Sequence, residues 1–417
     1  MSSACTRPAT QSAFQVSSFS APDGSIRHIL THRASGQPRQ AASLYEAHLI
    51  LKTDSFNTRH REMTCFGAMY AWAEDTRVDL DRLLLIGQGL TPAQIRSFAA
   101  WLRAPKAQAN GAIPHKRRRS LNLQLTTCAA ICSWFVRQFA NSCASPAQRA
   151  ADVARVVSAQ QRSWKEVRTK VRGDPVAPDL TEAEIRMIEQ FLKPAARAKE
   201  VGAAVATRDY LMWRMAIEFG MRKSEILAMR MIDCPTRAAP YFKIVRIEER
   251  GAEYIDPRKN PPRPKTLSRD LGLIIDETVF PKLVSEYVTT HRFKLIERHG
   301  KKVKQFLLPH EFLIIARNGD PMSISAASDV AHAITVGTGV KFHWHLARHA
   351  FFNRAYAAVA EVQDRNEYNV KLGDLVHWGG WSNDKSLDIY TRRARADRAR
   401  HALRLWQSEG SRWTALA

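Results

Sequence analysis

Three short stretches of this 417-residue chain hold side chains able to grip an anion, move a proton or attack an electrophile. The first is Glu218-Phe219-Gly220-Met221-Arg222-Lys223-Ser224-Glu225-Ile226-Leu227. It reads as a helix ending at Gly220, a turn holding Arg222, and a new helix opening with Ser224 and Glu225. An arginine at such a junction, beside free N–H groups, is well sited to hold a phosphate. The same pattern also describes an ordinary turn with a surface arginine. The second stretch is His343-Trp344-His345-Leu346-Ala347-Arg348-His349-Ala350-Phe351. His345 and Arg348 lie three apart and share one helical face, with His349 one step on. No carboxylate or thiol stands near enough to make these imidazoles a metal set, so no metal is expected. The bland reading is a helix that buries Leu346, Ala350 and Phe351 and leaves its cations in water. The third is Gly379-Gly380-Trp381-Ser382-Asn383-Asp384-Lys385-Ser386-Leu387-Asp388-Ile389-Tyr390-Thr391. A Gly-Gly turn presents Trp381, and a short helix then carries Tyr390. Tyrosine is a nucleophile where positive surroundings stabilise its phenolate; otherwise this Trp and Tyr are core residues.

The elements around these stretches predict a mainly helical chain with a small antiparallel β-sheet. Its length calls for at least two domains. Residues 1–41 read as an N-terminal extension, with a short hairpin of Phe14–Phe19 and Ile26–Thr31 expected about Pro22-Asp23-Gly24. Residues 42–162 read as a helical bundle: Thr91-Pro92 starts a capped helix, and another runs from Leu121 to Phe139. Residues 163–178, basic and then punctuated by Pro and Gly, form a linker. Residues 179–417 are a second unit. It opens with a capping box of Thr181 and Glu184 and holds helices over 181–193, 203–219 and 223–231. Strands follow at Tyr241–Ile247 and Leu271–Ile275, and helices continue to the end.

Charge narrows the partners. Lys and Arg total 63 against 40 acidic residues, a net +23, which favours a polyanion and nucleic acid first. Between Asp81 and Asp152 the chain has no acidic residue at all. Lys116, Arg117, Arg118 and Arg119 stand there, placed just before the helix that opens near Leu121. Solvated faces mix signs, so this run points to DNA phosphates; a free basic loop is the alternative. The six cysteines, Cys5, Cys65, Cys128, Cys132, Cys143 and Cys234, form no CxxC pair and read as reduced, structural residues. No run approaches a membrane span and Met1–Gln15 has no signal-peptide core, so a cytoplasmic, nucleoid-associated protein is expected.

Taken together, the three motifs resemble the catalytic domain of the tyrosine recombinases, the family of lambda-type integrases and Xer proteins. That family shows Arg in a Gly-x-Arg-x-Ser-Glu turn, then His-x-x-Arg-His, then Gly-His or Gly-Trp, with Tyr nine positions later. Trp381 and Tyr390 have that spacing; His377, beside Trp378, does not. The resemblance covers about 179–400, and the basic helical region at 42–160 is similar to the family's core-binding domain in place and character. Leu346-Ala347 departs from the family's polar-Leu pair. The family's hairpin lysine is assigned to Lys265, in Pro264-Lys265-Thr266-Leu267-Ser268-Arg269. Lys259 is the alternative, because a Pro-rich insertion leaves the register open.

The resemblance implies a site-specific recombinase, the integrase of a mobile element, that needs no cofactor. Arg222 and Arg348 would hold the non-bridging oxygens of a phosphodiester, with planar forks suited to phosphate. Tyr390 would attack, passing its proton to His345, and Lys265 would protonate the leaving 5′ oxygen. Trp381 would donate one N–H, with His349 and Glu225 in support. The product would be a 3′-phosphotyrosine link. The implied partners are double-stranded DNA with inverted-repeat core sites, sister protomers in a tetramer joined through the C-terminal tail, and accessory DNA-bending or directionality proteins. No membrane partner is expected. A type IB topoisomerase and a non-catalytic DNA-binding regulator are the rival readings.

Overall fold

The computed structural model describes residues 12–21, 26–53, 55–104, 114–140, 146–171, 179–236, 238–251, 254–272 and 279–414. The side chains of Ser20, His115, Lys116, Val279, Ile389, Tyr390, Arg392, Arg393 and 409–414 are outside that description. So are the turn at Pro22–Gly24, Cys5, Cys143 and the expected strand end at 273–275. The chain divides into two compact units, Met1–Asp174 and Pro175–Ala417.

In the first unit, β1 (Phe14–Ser20) pairs antiparallel with β2 (Ile26–His32), Phe14 opposite His32. Among the described residues six helices follow: α1 (Gln40–Lys52), α2 (Phe56–Asp75), α3 (Leu80–Leu85), α4 (Pro92–Arg103), α5 (His115–Phe139) and α6 (Pro146–Glu166). Local chemistry sets their starts. Ser55 caps α2, and Thr91 with Gln94 forms a capping box ahead of Pro92 on α4. Leu49, Phe66, Trp72, Phe98, Leu125, Phe135 and Trp164 share one core.

Three expectations change here. Phe14 and Leu30 lie in that same core, so the hairpin is part of the unit and not an appended extension. Trp164 is fully buried on α6, which runs to Glu166, so Ser163–Glu166 belong to a helix and not to a linker. The basic run also lies within α5, whose first residue is His115, and not ahead of it. Lys and Arg are good helix formers, and Pro114 at the N-cap position already carries a φ of −53° that leads into a helix.

The second unit opens with α7 (Glu182–Leu192), α8 (Pro194–Val201), α9 (Ala203–Phe219) and α10 (Lys223–Ala228). Next, β3 (Tyr241–Ile244) pairs antiparallel with β4 (Arg269–Gly272), Ile244 opposite Arg269. Then come α11 (Val279–Glu286) and an antiparallel hairpin of β5 (Lys294–Arg298) and β6 (Lys301–Gln305). The chain ends with α12 (Ile324–Thr338), α13 (Trp344–Ala360), α14 (Arg365–Gly379) and α15 (Lys385–Thr414). Leu211, Met215, Phe219, Ile226, Phe242, Leu271, Leu313, Trp344 and Leu346 form the core.

The β5–β6 hairpin was not expected, because its exposed strands carry charge on both sides and show no apolar alternation. The helix bearing Tyr390 is long, not short, spanning 30 residues. No helix among the described residues is long and apolar enough to cross a membrane.

Candidate active site

Gly220 ends α9 in the left-handed region (φ 63°), which leaves Arg222 at the N-cap position of α10. Its backbone N–H donates to Glu225 Oε2 at 2.9 Å. Its Nη1 donates to Glu225 Oε1 and to the Gly379 carbonyl, each at 3.3 Å. Arg348, in the second turn of α13, reaches the same place from another direction. Its Nη2 donates to Gly379 O at 3.0 Å and its Nη1 to Gly220 O at 2.5 Å. The guanidinium is completely buried, 4.6 Å from the Phe352 ring centre and 5.0 Å from that of Trp381. The three motifs therefore converge on the Gly379–Trp381 turn.

Glu225 sits beneath this convergence, 1% exposed. Besides Arg222 it accepts from Arg269 Nη2 through both oxygens, at 3.3 and 3.2 Å, and from Thr266 Oγ1 at 2.5 Å. The Arg269, Arg348 and Arg222 charges overcome burial and hold this carboxyl down at about 2. It is ionised at neutral pH, one negative charge set among three guanidinium groups. Arg269 also donates to Trp378 O at 2.6 Å and to Thr266 Oγ1 at 3.0 Å. Gly380 turns through φ 63°; a Cβ there would lie 2.7 Å from Arg269 Nη1 and 2.8 Å from Thr266 Cβ. Only glycine allows the turn to approach so closely.

His345 and His349 stack edge to face, ring centres 4.6 Å apart. Loss of water from its inner edge, then His349, Arg348, Arg222 and His343, hold the His345 pKa well below the ordinary imidazole value. Solvent at its exposed outer edge screens part of that repulsion. Burial, then His343 and Arg348, bring His349 down to about 4. Both rings are neutral near pH 7, so His345 can accept a proton.

Lys265 is exposed in the segment leading to β4. The residues after it are anchored at the centre: Thr266 on Glu225, and Leu267 N on Gly380 O at 3.1 Å. Lys259, also exposed, follows Arg258, whose guanidinium holds Leu227 O and Met322 O at the far end of α10. Trp381 is 9% exposed and packs with Phe351, Phe352 and Leu387. Its ring thus supports Arg348 and the start of α15 together. His377 is exposed, while Trp378 donates to Phe219 O at 3.0 Å.

Tyr390 falls in the second turn of α15, between the buried residues Leu387 and Thr391, and its side chain lies outside the described residues. Farther along α15, Arg395 Nε and Arg398 Nη2 donate to Tyr356 Oη of α13 at 3.3 and 2.9 Å. This part of the tail packs on its own unit, while Leu403, Leu405 and Trp406 are exposed. Arg117 and Arg119 are exposed on α5 and Arg118 half-buried. The Lys116 side chain lies outside the described residues.

Sequence reasoning missed Arg269, Thr266 and the Gly379 carbonyl. The first two stand in the stretch quoted for Lys265, but as Ser-Arg and a neighbouring Thr they carry no local sign of partnership with Glu225. Only their contacts reveal it.

No family model matches the chain, and no curated protein sequence matches it. The structure is similar to that of the Tn1549 transposon integrase (aa 82–397) in complex with circular intermediate DNA. The TM-score is 0.51 at 16% identity, covering 87% of this chain and 100% of that one. A XerH site-specific recombinase in a post-cleavage complex with palindromic difH substrate gives a TM-score of 0.49 at 12% identity, over 84% of this chain and 81% of that one. XerA recombinase gives 0.36 at 12% identity, over 87% and 97%. At such identities the likeness to the transposon integrase is one of fold: the chain has the tyrosine-recombinase fold that its motifs resemble.

Proposed function

We propose that this chain is a site-specific DNA recombinase, an integrase of a mobile element, that cuts and rejoins strands through a covalent link to Tyr390. The observation that carries the reading is the meeting of Arg222 and Arg348 on one carbonyl, Gly379 O, with His345 and Trp381 alongside. Two guanidinium groups aimed at one oxygen make a place for the oxygens of a phosphodiester, where preorganised donors act most strongly. Because Arg348 is completely buried, phosphate entry has to displace the Gly379–Gly380 turn, and the carbonyl keeps the arginine fork in place until then. Neutral His345 takes the Tyr390 proton as the phenol attacks phosphorus. The phosphorus–oxygen bond to the 5′ side breaks, and Lys265 protonates the departing oxygen. The resulting 3′-phosphotyrosine retains the bond energy, so a second strand's 5′ hydroxyl can reverse the step. Glu225 and His349 hold the arginines and His345 in position.

In this reading Lys116, Arg117, Arg118 and Arg119 meet DNA phosphates. Four cations in the first turns of α5 oppose its dipole, and a phosphate relieves that repulsion. The exposed Leu403, Leu405 and Trp406 serve contacts between protomers of a tetramer on inverted-repeat sites.

The test uses nicked duplexes tiling the DNA on either side of the chain's own gene. Wild type is expected to give a denaturation-resistant protein–DNA adduct that Tyr390→Phe lacks while still binding DNA. Absence of any adduct with wild type overturns the reading, and an adduct that survives Tyr390→Phe overturns the choice of nucleophile.

A further inference from the structure

Beside the arginine centre lies a groove of about 630 Å³, bounded by the start of α10, one stripe of α12 and the segment entering α13. Its α12 wall is Ser328, Ala331, His332 and Thr335, the i, i+3, i+4, i+7 positions of a single helical face. The groove begins at Arg222 and His345 and continues past Lys223, Lys341 and His343, and no carboxylate lines it. Lys223 Nζ crosses to Ser328 Oγ at 3.0 Å, an uncharged partner. Lys341 stands exposed beside His343, close enough to lower that imidazole's pKa along with its loss of water. Elsewhere in this unit several half-buried or buried arginines are matched by acids, as Arg269 is by Glu225, Arg250 by Asp233 and Arg258 by Asp256. In the groove Arg222 shares Glu225, whereas Lys223 and Lys341 face no acid among the described residues. An unneutralised channel of one sign raises the local concentration of a polyanion and repels itself when empty.

We infer that this groove seats the sugar–phosphate backbone of the strand being cut, on one side of the reacting linkage, with Lys223 and Lys341 each neutralising one phosphate. The inference rests on the recombinase reading for the identity of the polyanion. It adds a subsite outside the reacting centre, one that sets affinity and register and takes no part in bond cleavage.

The experiment measures binding of a short mixed-sequence DNA duplex by fluorescence anisotropy across a series of salt concentrations, and compares log–log slopes. Lys223→Ala and Lys341→Ala should each lower the slope by about 1, and the double variant by about 2. The double Lys→Arg variant should keep the wild-type slope, because charge is what the phosphates meet. Lys199→Ala, on α8 outside the groove, controls for net charge. A double Ala variant with the wild-type slope, or one lowered no further than by Lys199→Ala, overturns the groove while leaving the DNA reading intact. So does a double Arg variant as impaired as the double Ala variant. Wild type that binds no DNA overturns both.

Discussion

Arg222 and Arg348 donate to the same carbonyl oxygen, that of Gly379, at 3.3 and 3.0 Å. Two cations so close repel each other, and the arrangement persists because Glu225, buried and ionised, lies against the pair with Arg269 behind it. The centre is thus a network of charge built before any substrate arrives. Its geometry is set by a carboxylate and a turn, neither of which reacts.

Removing that carboxylate should be costly. Glu225→Ala leaves Arg269 buried without its counter-charge and is expected to destabilise the second unit by about 3–5 kcal/mol. Glu225→Gln, which keeps the shape and part of the hydrogen bonding, should lose less. Urea unfolding followed by tryptophan fluorescence measures both; an unchanged midpoint for the Ala variant would contradict the network.

Acid should loosen the same unit. His345 and His349 have folded pKa values below the unfolded value of about 6.5. Below that value the unfolded chain binds more protons, so stability is full above about pH 6.5 and falls toward the depressed folded values. Glu225, lowered to about 2, adds its own loss as pH drops below the ordinary carboxylate range. Urea midpoints at falling pH should decline from near pH 6.5, and less steeply in His349→Gln. A flat profile down to pH 4 would falsify the shifts.

Arg348→Lys should separate chemistry from affinity. A lysine cannot span Gly220 O and Gly379 O at once, so the fork is lost while a positive charge remains. Adduct formation is expected to slow roughly 100- to 1,000-fold, with little change in DNA affinity by anisotropy. Equal losses in both would assign Arg348 to binding alone.

Trp381 links the arginine to the helix that carries the tyrosine. Trp381→Ala opens a hole beneath Arg348 and beside Leu387, at an expected cost of about 3 kcal/mol. Limited proteolysis should then cut α15 sooner than in wild type, whereas Trp381→Phe should resist longer than the Ala variant. Identical digestion of all three would detach Trp381 from the support of α15.

What the sequence alone determined was whatever depends on near neighbours along the chain. The turn at Gly220 ahead of Arg222, the shared helical face of His345 and Arg348, the capping box at Thr181 and the spacing of Trp381 from Tyr390 are local, and so was the mainly helical class. Local rules also misled. Lys116–Arg119 read as lying just ahead of a helix that opens near Leu121, yet good helix formers after Pro114 continued α5 through them. The β5–β6 hairpin, lacking an apolar face, gave no periodic signal.

Tertiary structure alone decided the partnerships. Nothing near Arg269 announces Glu225, 44 positions away, and nothing near Gly379 announces Arg222, 157 positions away. A buried charge must find its counter-charge wherever the fold brings one, because the cost of burying it unpaired depends on distance through space and not along the chain.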